Sequence, residues 1–290
     1  QSLDFGNVLH NSMEFIFHHM EEQKKTWQQL EKEEIYELSQ MAVDHALEGS
    51  QGDKFRQSKR TEYYIKRMKR VIQCAAYGMV FQMQQGKFVQ TRAELNFSVD
   101  NTREAARLLV ENNKKILLNG KIDRIDIYEE KGKRQVKIID YKSGRTDLQL
   151  DKMYYGLQLQ LLTYMSAALE IEKHVHENQK VVPAAMLYYQ IKEPELEWRE
   201  ETEENRINRS VAAMSCTGLV TEDPEVVELL DKNLAGNGEY QESMTSAVLP
   251  IQTTKGGTPG KRSSVVTEKE FQLLMEHARK KEKEFGRPYI

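Results

Sequence analysis

The chain has 290 residues, of which 39% are hydrophobic and 30% charged, and its formal net charge is −3. This composition is typical of a globular protein with a large core, and the net charge disfavours indiscriminate binding of polyanions while leaving room for a local basic groove. No apolar run reaches membrane-spanning length, and the first residues lack the basic-then-apolar order of a signal peptide. Cys74 and Cys216 fit neither a disulfide framework nor a C-x-x-C metal site. We therefore expect a cytoplasmic protein without a membrane association.

The N-terminal part of the chain is predicted to be helical. Residues 4–46 carry apolar side chains at intervals of three and four, and a second long helix is predicted over residues 60–85. Basic residues and tyrosines are interleaved at the start of this second helix, a combination that suits phosphate contacts and stacking on unpaired bases. A solvated helix face explains the same pattern equally well. The candidate nucleic-acid contacts are Lys59, Arg60, Tyr63, Tyr64 and Arg67.

The middle of the chain is predicted to contain a strand, a short helix and a β-hairpin. The strand covers residues 87–99 and the helix residues 101–112. Two apolar runs then follow, at residues 121–128 and 135–141, on either side of a charged segment that contains a glycine. With the turn centred on Lys131 and Gly132, Asp123 lies opposite Asp140, and Lys142 shares their face.

Two carboxylates and one ammonium group are thereby expected at the end of this hairpin. Neighbouring carboxylates repel each other unless one is protonated or a cation lies between them. Oxygen ligands of this kind suit Mg²⁺ or Mn²⁺, and a metal held by few carboxylates keeps water ligands for chemistry. A surface hairpin with a salt-bridged Asp and Lys is the alternative interpretation.

The elements after the hairpin complete an α/β pattern. A helix over residues 150–169 places Gln160 and Tyr164 four residues apart on one face, either beside a functional site or as a polar pair that satisfies backbone groups. Residues 184–191 are predicted to form a buried strand. The order α-β-β-β-α-β predicts a mixed sheet flanked by helices. Further helices are predicted over residues 200–213, 224–234 and 267–285.

Several sequence blocks together resemble a known family. They are F-G-N-V-L-H at residues 5–10, A-E-L-N-F at 93–97, G-K-I-D-R-I-D at 120–126, I-I-D-Y-K-S-G at 138–144, Q-L-Q-L-L-T-Y at 158–164 and S-C-T-G-L-V-T-E-D-P-E-V at 215–226. In this order they resemble the RecB-type nuclease domain of the PD-(D/E)XK superfamily, and within it the C-terminal nuclease domain of the AddB family. A lone D-x-K would be weak evidence, whereas ordered blocks over most of the chain are specific.

The resemblance implies a restriction-endonuclease-like core with an N-terminal helical region. The expected parts are residues 1–86, which carry the His motif, the catalytic core at 87–192, and a C-terminal extension at 193–290. The family places a metal-ligating His where His10 stands, although on residue type alone this His is an ordinary hydrogen-bonded side chain. The implied metal ligands are His10, Asp123, Asp140 and the Tyr141 carbonyl. The implied catalytic residues are Asp123, Asp140 and Lys142.

Four further residues are expected to support the site. Glu94 helps to bind the metal, directly or through water, or positions the catalytic groups, or forms a structural ion pair. Asp126 lies out of phase with Asp123 on an ideal strand and forms an ion pair with Arg124 or Lys121, or supports the metal ligands. Gln160 and Tyr164 border the active site and the DNA strand in the family.

The resemblance implies a metal-dependent exonuclease that hydrolyses single-stranded DNA, for AddB the 5′-terminated strand. It also implies an AddA-like helicase partner and a role in double-strand-break repair and recombination. AddB proteins typically carry a four-Cys iron–sulfur cluster, but neither Cys74 nor Cys216 matches its ligands. The alternatives are a non-catalytic module that binds DNA or a helicase, and a stand-alone RecB-like nuclease. The presence of Asp123, Asp140 and Lys142 disfavours the non-catalytic module.

Overall fold

A computed structural model of the chain describes residues 5–48, 59–97, 107–110, 114–117, 120–144, 146–192, 202, 205, 214–234, 243–255 and 258–285. The chain forms two compact units. The first comprises Gln1–Gly86, Tyr141–Thr146 and Tyr189–Cys216, and the second comprises Lys87–Asp140, Asp147–Tyr188 and Thr217–Ile290. The division into parts 1–86, 87–192 and 193–290 stays a prediction.

Three helices make up most of the described part of the first unit: α1 (Phe5–Glu22), α2 (Lys32–Glu48) and α3 (Lys59–Gln85). They pack on one another through their apolar stripes. The buried side chains of this helical core include Leu9, Met13, Ile16, Ala42, Val43, Ile72, Ala75 and Met79. The third helix matches the prediction for residues 60–85.

The predicted continuous helix over residues 4–46 is wrong, because the chain breaks between α1 and α2. Lys24 adopts a φ of +54°, which a right-handed helix does not allow. A short 3₁₀ turn, Trp27–Gln29, follows, and a capping box between Thr26 and Gln29 begins it. Trp27 is almost completely buried, so burial of its large side chain favours the break over a straight helix.

The second unit is built on a mixed sheet. Its strands are β1 (Val89–Phe97), β4 (Gly120–Glu130), β5 (Lys133–Lys142), β6 (Lys180–Gln190), β7 (Ser215–Thr221) and β8 (Val265–Val266), in the order β1-β4-β5-β6-β7-β8. The β1–β4 and β4–β5 pairs are antiparallel, and the β7–β8 pair is parallel. Two shorter strands, β2 (Arg107–Val110) and β3 (Lys114–Leu117), form a separate antiparallel pair.

Helices cover the sheet of the second unit: α4 (Leu150–Tyr154), α5 (Gln160–Val175), α6 (Pro224–Leu230) and α7 (Glu268–Phe285). The apolar face of the β4–β5 hairpin shares one core with α5 and α7, which includes Ile125, Ile138, Leu162, Met165 and Phe271. The alternation of side chains along β4 and β5 explains why Ile and Val occupy every second position of this face. The predicted fold class, a mixed sheet flanked by helices, is confirmed.

The predicted hairpin is confirmed in its register. Its turn consists of Lys131 and Gly132, whose φ values of +50° and +75° are those of a two-residue type I′ turn. Lys131 tolerates this conformation at a cost, whereas Gly132 adopts it freely. The predicted strand at residues 184–191 lies largely within β6, and the helices at 224–234 and 267–285 are also present.

Two predicted helices require correction. The helix predicted over residues 101–112 is wrong at Arg107–Val110, which is β2 and pairs with β3 across residues 111–113. The helix predicted over residues 150–169 is interrupted, because α4 ends in a turn in which Leu157 N donates to the Lys152 carbonyl and Gly156 has a φ of +80°. Strands β7 and β8 were not predicted. The helix predicted at residues 200–213 lies almost wholly outside the described residues.

None of the helices in the described ranges combines the length and the apolar character that crossing a bilayer requires.

Candidate active site

The β4–β5 hairpin determines where Asp123 and Asp140 lie. The register pairs Arg124 with Ile139, and the remaining pairs follow in step toward the turn. Continuing this register by one residue places Asp123 opposite Asp140, on the same face of the sheet. Both carboxylates are buried, with 5% and 2% of their surface exposed. The sequence-predicted pair of acidic residues therefore lies at the end of the hairpin away from the turn.

Glu94 brings a third carboxylate to this place from the neighbouring strand. The β1–β4 register has Leu95 opposite Ile122, so Glu94 lies level with Asp123. Carboxylate oxygens of Glu94 and Asp123 approach within 4.8 Å of each other. Glu94 has a φ of +47°, a left-handed conformation that is uncommon for a residue other than glycine. Its side chain is buried and forms an ion pair with Lys121.

These three acidic side chains have the chemistry of a divalent-cation site. They stand on three adjacent strands, β1, β4 and β5. Buried carboxylates this close together repel one another, and a cation between them removes the repulsion. Hard oxygen donors prefer Mg²⁺ or Mn²⁺ to the softer metals that cysteine binds. In the chemistry of its donors, the set Glu94, Asp123 and Asp140 fits the metal that the sequence predicted.

Tyr141 and Lys142, the last residues of β5, belong to the first unit. The Lys142 carbonyl accepts a hydrogen bond from Ile191 N at 2.8 Å, which fixes the backbone at this point. The Tyr141 ring packs edge-on against the rings of His10 and Tyr189, with centroids 6.0 and 6.2 Å away. His10, on α1, is half-buried. The predicted His therefore contacts the residue that directly follows Asp140.

Asp126 lies on the opposite face of β4 from Asp123, because successive strand residues alternate. Its carboxylate accepts from Arg124 Nε at 2.6 Å and Arg124 Nη2 at 3.0 Å, and it forms an ion pair with Lys137 at 2.7 Å. All three side chains are buried. Burial alone would raise the pKa of Asp126, but the two cations outweigh it and hold the pKa below its ordinary value. The ion pair with Arg124 is one of the roles suggested by the sequence.

Gln160 and Tyr164 form a direct pair on the first turn of α5. Gln160 Nε2 donates to the Tyr164 hydroxyl at 3.1 Å. The Tyr164 ring meets the ring of Phe97 edge-on, with centroids 5.6 Å apart. A Cβ added to Gly120 would overlap the Phe97 ring and come within 3.1 Å of Tyr164. The absence of a side chain at Gly120 thus lets Tyr164 pack at the start of β4.

Tyr188 and Gln158 are site residues that the sequence analysis did not select. Tyr188 is buried on β6, and its burial together with the negative charge of Asp140 raises its pKa to about 12. Its hydroxyl shares a hydrogen bond with Gln158, and Tyr164 also influences it. A signal was present in the sequence, since a tyrosine in a strongly apolar strand needs a polar partner for its hydroxyl.

The predicted nucleic-acid contacts lie on the first turns of α3, in the first unit. Lys59 and Arg60 are exposed, as is Tyr63, and Arg67 is half-buried. The Arg60 guanidinium lies over the Tyr64 ring, 5.8 Å from its centroid. Met68 and Val71 on the same helix are buried, so the apolar side packs inward as either interpretation requires. The role of this cluster stays a prediction.

The sequence comparisons agree with this geometry. A family model described as the PD-(D/E)XK nuclease superfamily matches residues 1–283. The chain belongs to this superfamily. The membership predicted from the sequence blocks is therefore confirmed, as is the resemblance to AddB. Nucleases of this superfamily generally use divalent metal ions, in line with the carboxylates on β1, β4 and β5.

Three relatives of this PD-(D/E)XK nuclease are named as the B-type component of an ATP-dependent helicase/deoxyribonuclease. The protein of Lachnoclostridium phytofermentans is 36% identical over 94% of the chain, that of Clostridioides difficile 31% over 95%, and that of Thermoanaerobacter sp. (strain X514) 30% over 99%. The matches cover 23%, 24% and 24% of these relatives. The chain thus spans about a quarter of their length.

Proposed function

We propose that this chain is a metal-dependent deoxyribonuclease that hydrolyses phosphodiester bonds of single-stranded DNA from an end. The observation that carries the proposal is the group of buried carboxylates at Glu94, Asp123 and Asp140, in a chain of a nuclease superfamily. The names of the relatives support DNA as the substrate and a helicase as the partner. We further propose that the chain serves an AddA-like helicase in double-strand-break repair, with the 5′-terminated strand as its substrate.

Mg²⁺ or Mn²⁺ is the proposed metal. Asp123 and Asp140 would hold it with their carboxylates, joined by the Tyr141 carbonyl and His10 as the family resemblance implies. The contact of the His10 ring with Tyr141 supports the assignment of His10. When bound, the metal lowers the pKa of a water ligand and withdraws negative charge from the phosphate. Glu94 lies beside Asp123 and is proposed as a further ligand, directly or through water.

Lys142 is proposed to act on the attacking water and on the phosphate. Its ammonium group donates hydrogen bonds and carries positive charge, so it orients the water and stabilises negative charge that develops on the phosphate oxygens. The hydrogen bond from Ile191 to the Lys142 carbonyl holds the backbone from which this side chain projects. Gln160 and Tyr164, joined by their hydrogen bond, are proposed to contact the DNA strand.

The test is release of nucleotides from end-labelled single-stranded DNA with Mg²⁺ or Mn²⁺. Asp140→Ala and Lys142→Ala are expected to abolish cleavage while circular dichroism shows an unchanged fold. Matched controls are Glu177→Gln and Lys173→Ala, which alter an exposed acidic and an exposed basic residue, and both should cleave like the unaltered protein. Labels at the 5′ and the 3′ end report the polarity.

Two outcomes would count against the proposal. Cleavage that survives both alanine substitutions would exclude the assigned site. DNA binding without cleavage, both alone and with the helicase partner added, would instead identify a non-catalytic binding module. Comparing the chain with and without the helicase also tests whether the nuclease acts alone, as a stand-alone RecB-like enzyme would.

A further inference from the structure

An exposed apolar surface adjoins the candidate active site in the second unit. We define the tyrosine platform as the exposed side chains Tyr154, Tyr155 and Leu157 at the end of α4 and in the turn that follows. Their exposed fractions are 63%, 66% and 74%. Large apolar side chains exposed next to one another are uncommon on a solvated surface and mark a binding site. The function proposed above assigns no role to these residues.

The platform is held in a fixed geometry although it is exposed. The Tyr154 ring stacks on the His277 ring, with centroids 5.2 Å apart and planes 9° from parallel. A ring nitrogen of His277 donates to the Tyr154 carbonyl at 2.8 Å. Tyr155 meets the Tyr154 ring edge-on, at 5.4 Å and 84°. Two aromatic rings are thus presented to solvent with defined orientations, at no further cost of ordering when a ligand binds.

Hydrogen bonds join the platform to the active-site carboxylates. Gln158 Oε1 accepts from Gln149 N at 2.9 Å, and Gln158 Nε2 donates to the Asp147 carbonyl at 3.0 Å. This pair of bonds closes the segment that carries the platform. Gln158 also shares a hydrogen bond with the Tyr188 hydroxyl, which lies within the electrostatic influence of Asp140. Two side chains therefore separate the platform from the candidate metal site.

We propose that the tyrosine platform stacks on unpaired bases of the DNA strand that enters the active site. This inference rests on the proposed nuclease function and adds a base-contacting surface to it. Aromatic rings stack on any base, which suits an enzyme that degrades DNA regardless of sequence. Duplex DNA keeps its bases inside the helix, so the platform selects single strands.

The surrounding contacts favour a nucleic acid over a protein partner. A protein interface of stable size requires a broad packed patch, whereas the defined platform consists of two rings and one leucine beside the carboxylates. Aromatic side chains that are oriented in advance and joined to the site of cleavage match a strand that must pass in a fixed register. A protein partner on the same surface is the outcome that the test below separates from this one.

The experiment measures binding of a fluorescein-labelled 15-nucleotide single strand by anisotropy, in EDTA so that metal-dependent cleavage does not occur. Tyr154→Ala, Tyr155→Ala and the double variant are compared with Tyr154→Phe and Tyr155→Phe, which keep the rings. The matched control is Tyr36→Ala, which removes a tyrosine of similar exposure on α2. A second strand with abasic sites, and a duplex of the same sequence, test whether unpaired bases are responsible.

Each alanine variant is expected to bind the intact strand at least about five-fold more weakly, because base–aromatic stacking contributes ~1 kcal/mol or more per base. The Phe variants and Tyr36→Ala should bind like the unaltered protein. The loss should disappear with the abasic strand and with the duplex. Circular dichroism checks folding, and Tyr155→Ala remains informative if removal of the Tyr154–His277 stack disturbs the fold.

Unchanged binding by the alanine variants would overturn the inference and leave the platform as a protein-binding surface. An equal loss for intact and abasic strands would also overturn it, because the contact would then not be to bases. Cleavage of end-labelled DNA is measured separately. Failure of the unaltered protein to cleave, together with the predicted losses of binding, would refute the proposed nuclease function and keep the platform. Normal cleavage with unchanged binding would refute the platform alone.

Discussion

Glu94 and Asp123 bring carboxylate oxygens within 4.8 Å of each other from adjacent strands, and Glu94 does so from a backbone with a φ of +47°. A left-handed conformation costs a residue with a Cβ roughly 1–2 kcal/mol, and close carboxylates add repulsion. The ion pair of Glu94 with Lys121 offsets only part of this, because Lys121 is substantially exposed. Strain and repulsion at the same residue indicate a site shaped for a ligand rather than for stability.

The first prediction concerns metal-dependent stability. Mn²⁺ at about 100 times its dissociation constant should raise the free energy of unfolding of the unaltered protein by ~2.7 kcal/mol. Asp123→Asn and Glu94→Gln keep the size of each side chain and remove its negative charge, so both should lose most of this gain. Thermal denaturation with and without Mn²⁺ measures the effect independently of activity. Glu177→Gln, an exposed control, should retain the full gain, and an equal gain in all variants would exclude the proposed site.

The second prediction separates Asp126 from the carboxylates of the site. Asp126→Ala leaves Arg124 and Lys137 buried without their shared anion, which should destabilise the fold by about 3–5 kcal/mol. Urea denaturation measures the loss, and the Mn²⁺-induced gain in stability should persist in the variant that remains folded. Glu62→Ala, which removes the anion of the exposed Glu62–Lys66 pair, should leave the denaturation midpoint unchanged.

The pKa of Asp126 also predicts how stability depends on pH. Because its pKa in the folded protein is lower than in the unfolded chain, its contribution is fully present above the unfolded value, near pH 4. The contribution is lost as the pH falls through the lower folded value. The free energy of unfolding should therefore decrease below about pH 4 in the unaltered protein and decrease less in Asp126→Asn. An identical acid dependence in both proteins would contradict this account.

The hairpin could be predicted from the sequence because two independent signals agree. Apolar runs of similar length flank Lys131 and Gly132, so any symmetric loop gives one register, which the structure shows. Glu94 could be selected but not its strained backbone, since φ at one strand residue depends on pairing with β4 rather than on local sequence. The β2–β3 pair was missed because short leucine-rich runs fit a helix equally well, and only long-range pairing decides between them.

The third prediction tests the packing of Tyr164. Gly120→Ala places a methyl group where the Phe97 ring lies and beside Tyr164, so the rings must move. We expect a destabilisation of about 1–3 kcal/mol and a clear loss of cleavage, because Gln160 is hydrogen-bonded to Tyr164. Gly132→Ala is the matched control, since nothing lies within 4 Å of its Cβ. It should lose stability through its positive φ but keep normal cleavage, and equal cleavage by both variants would contradict the role of Tyr164.

The fourth prediction assigns Tyr188 a positioning role. Burial and the charge of Asp140 raise the pKa of its hydroxyl to about 12, so the group is protonated at physiological pH and is not a general base. Tyr188→Phe removes the hydrogen bond to Gln158, which is worth ~0.5–1.5 kcal/mol, and cleavage should fall by a corresponding few-fold to ten-fold. The shape of the pH–rate profile between pH 6 and 9 should not change. Because the folded pKa exceeds the unfolded one, the stability that Tyr188 contributes is present below pH 10 and lost toward pH 12. A shifted profile in the Phe variant would instead show that the hydroxyl exchanges a proton during the reaction.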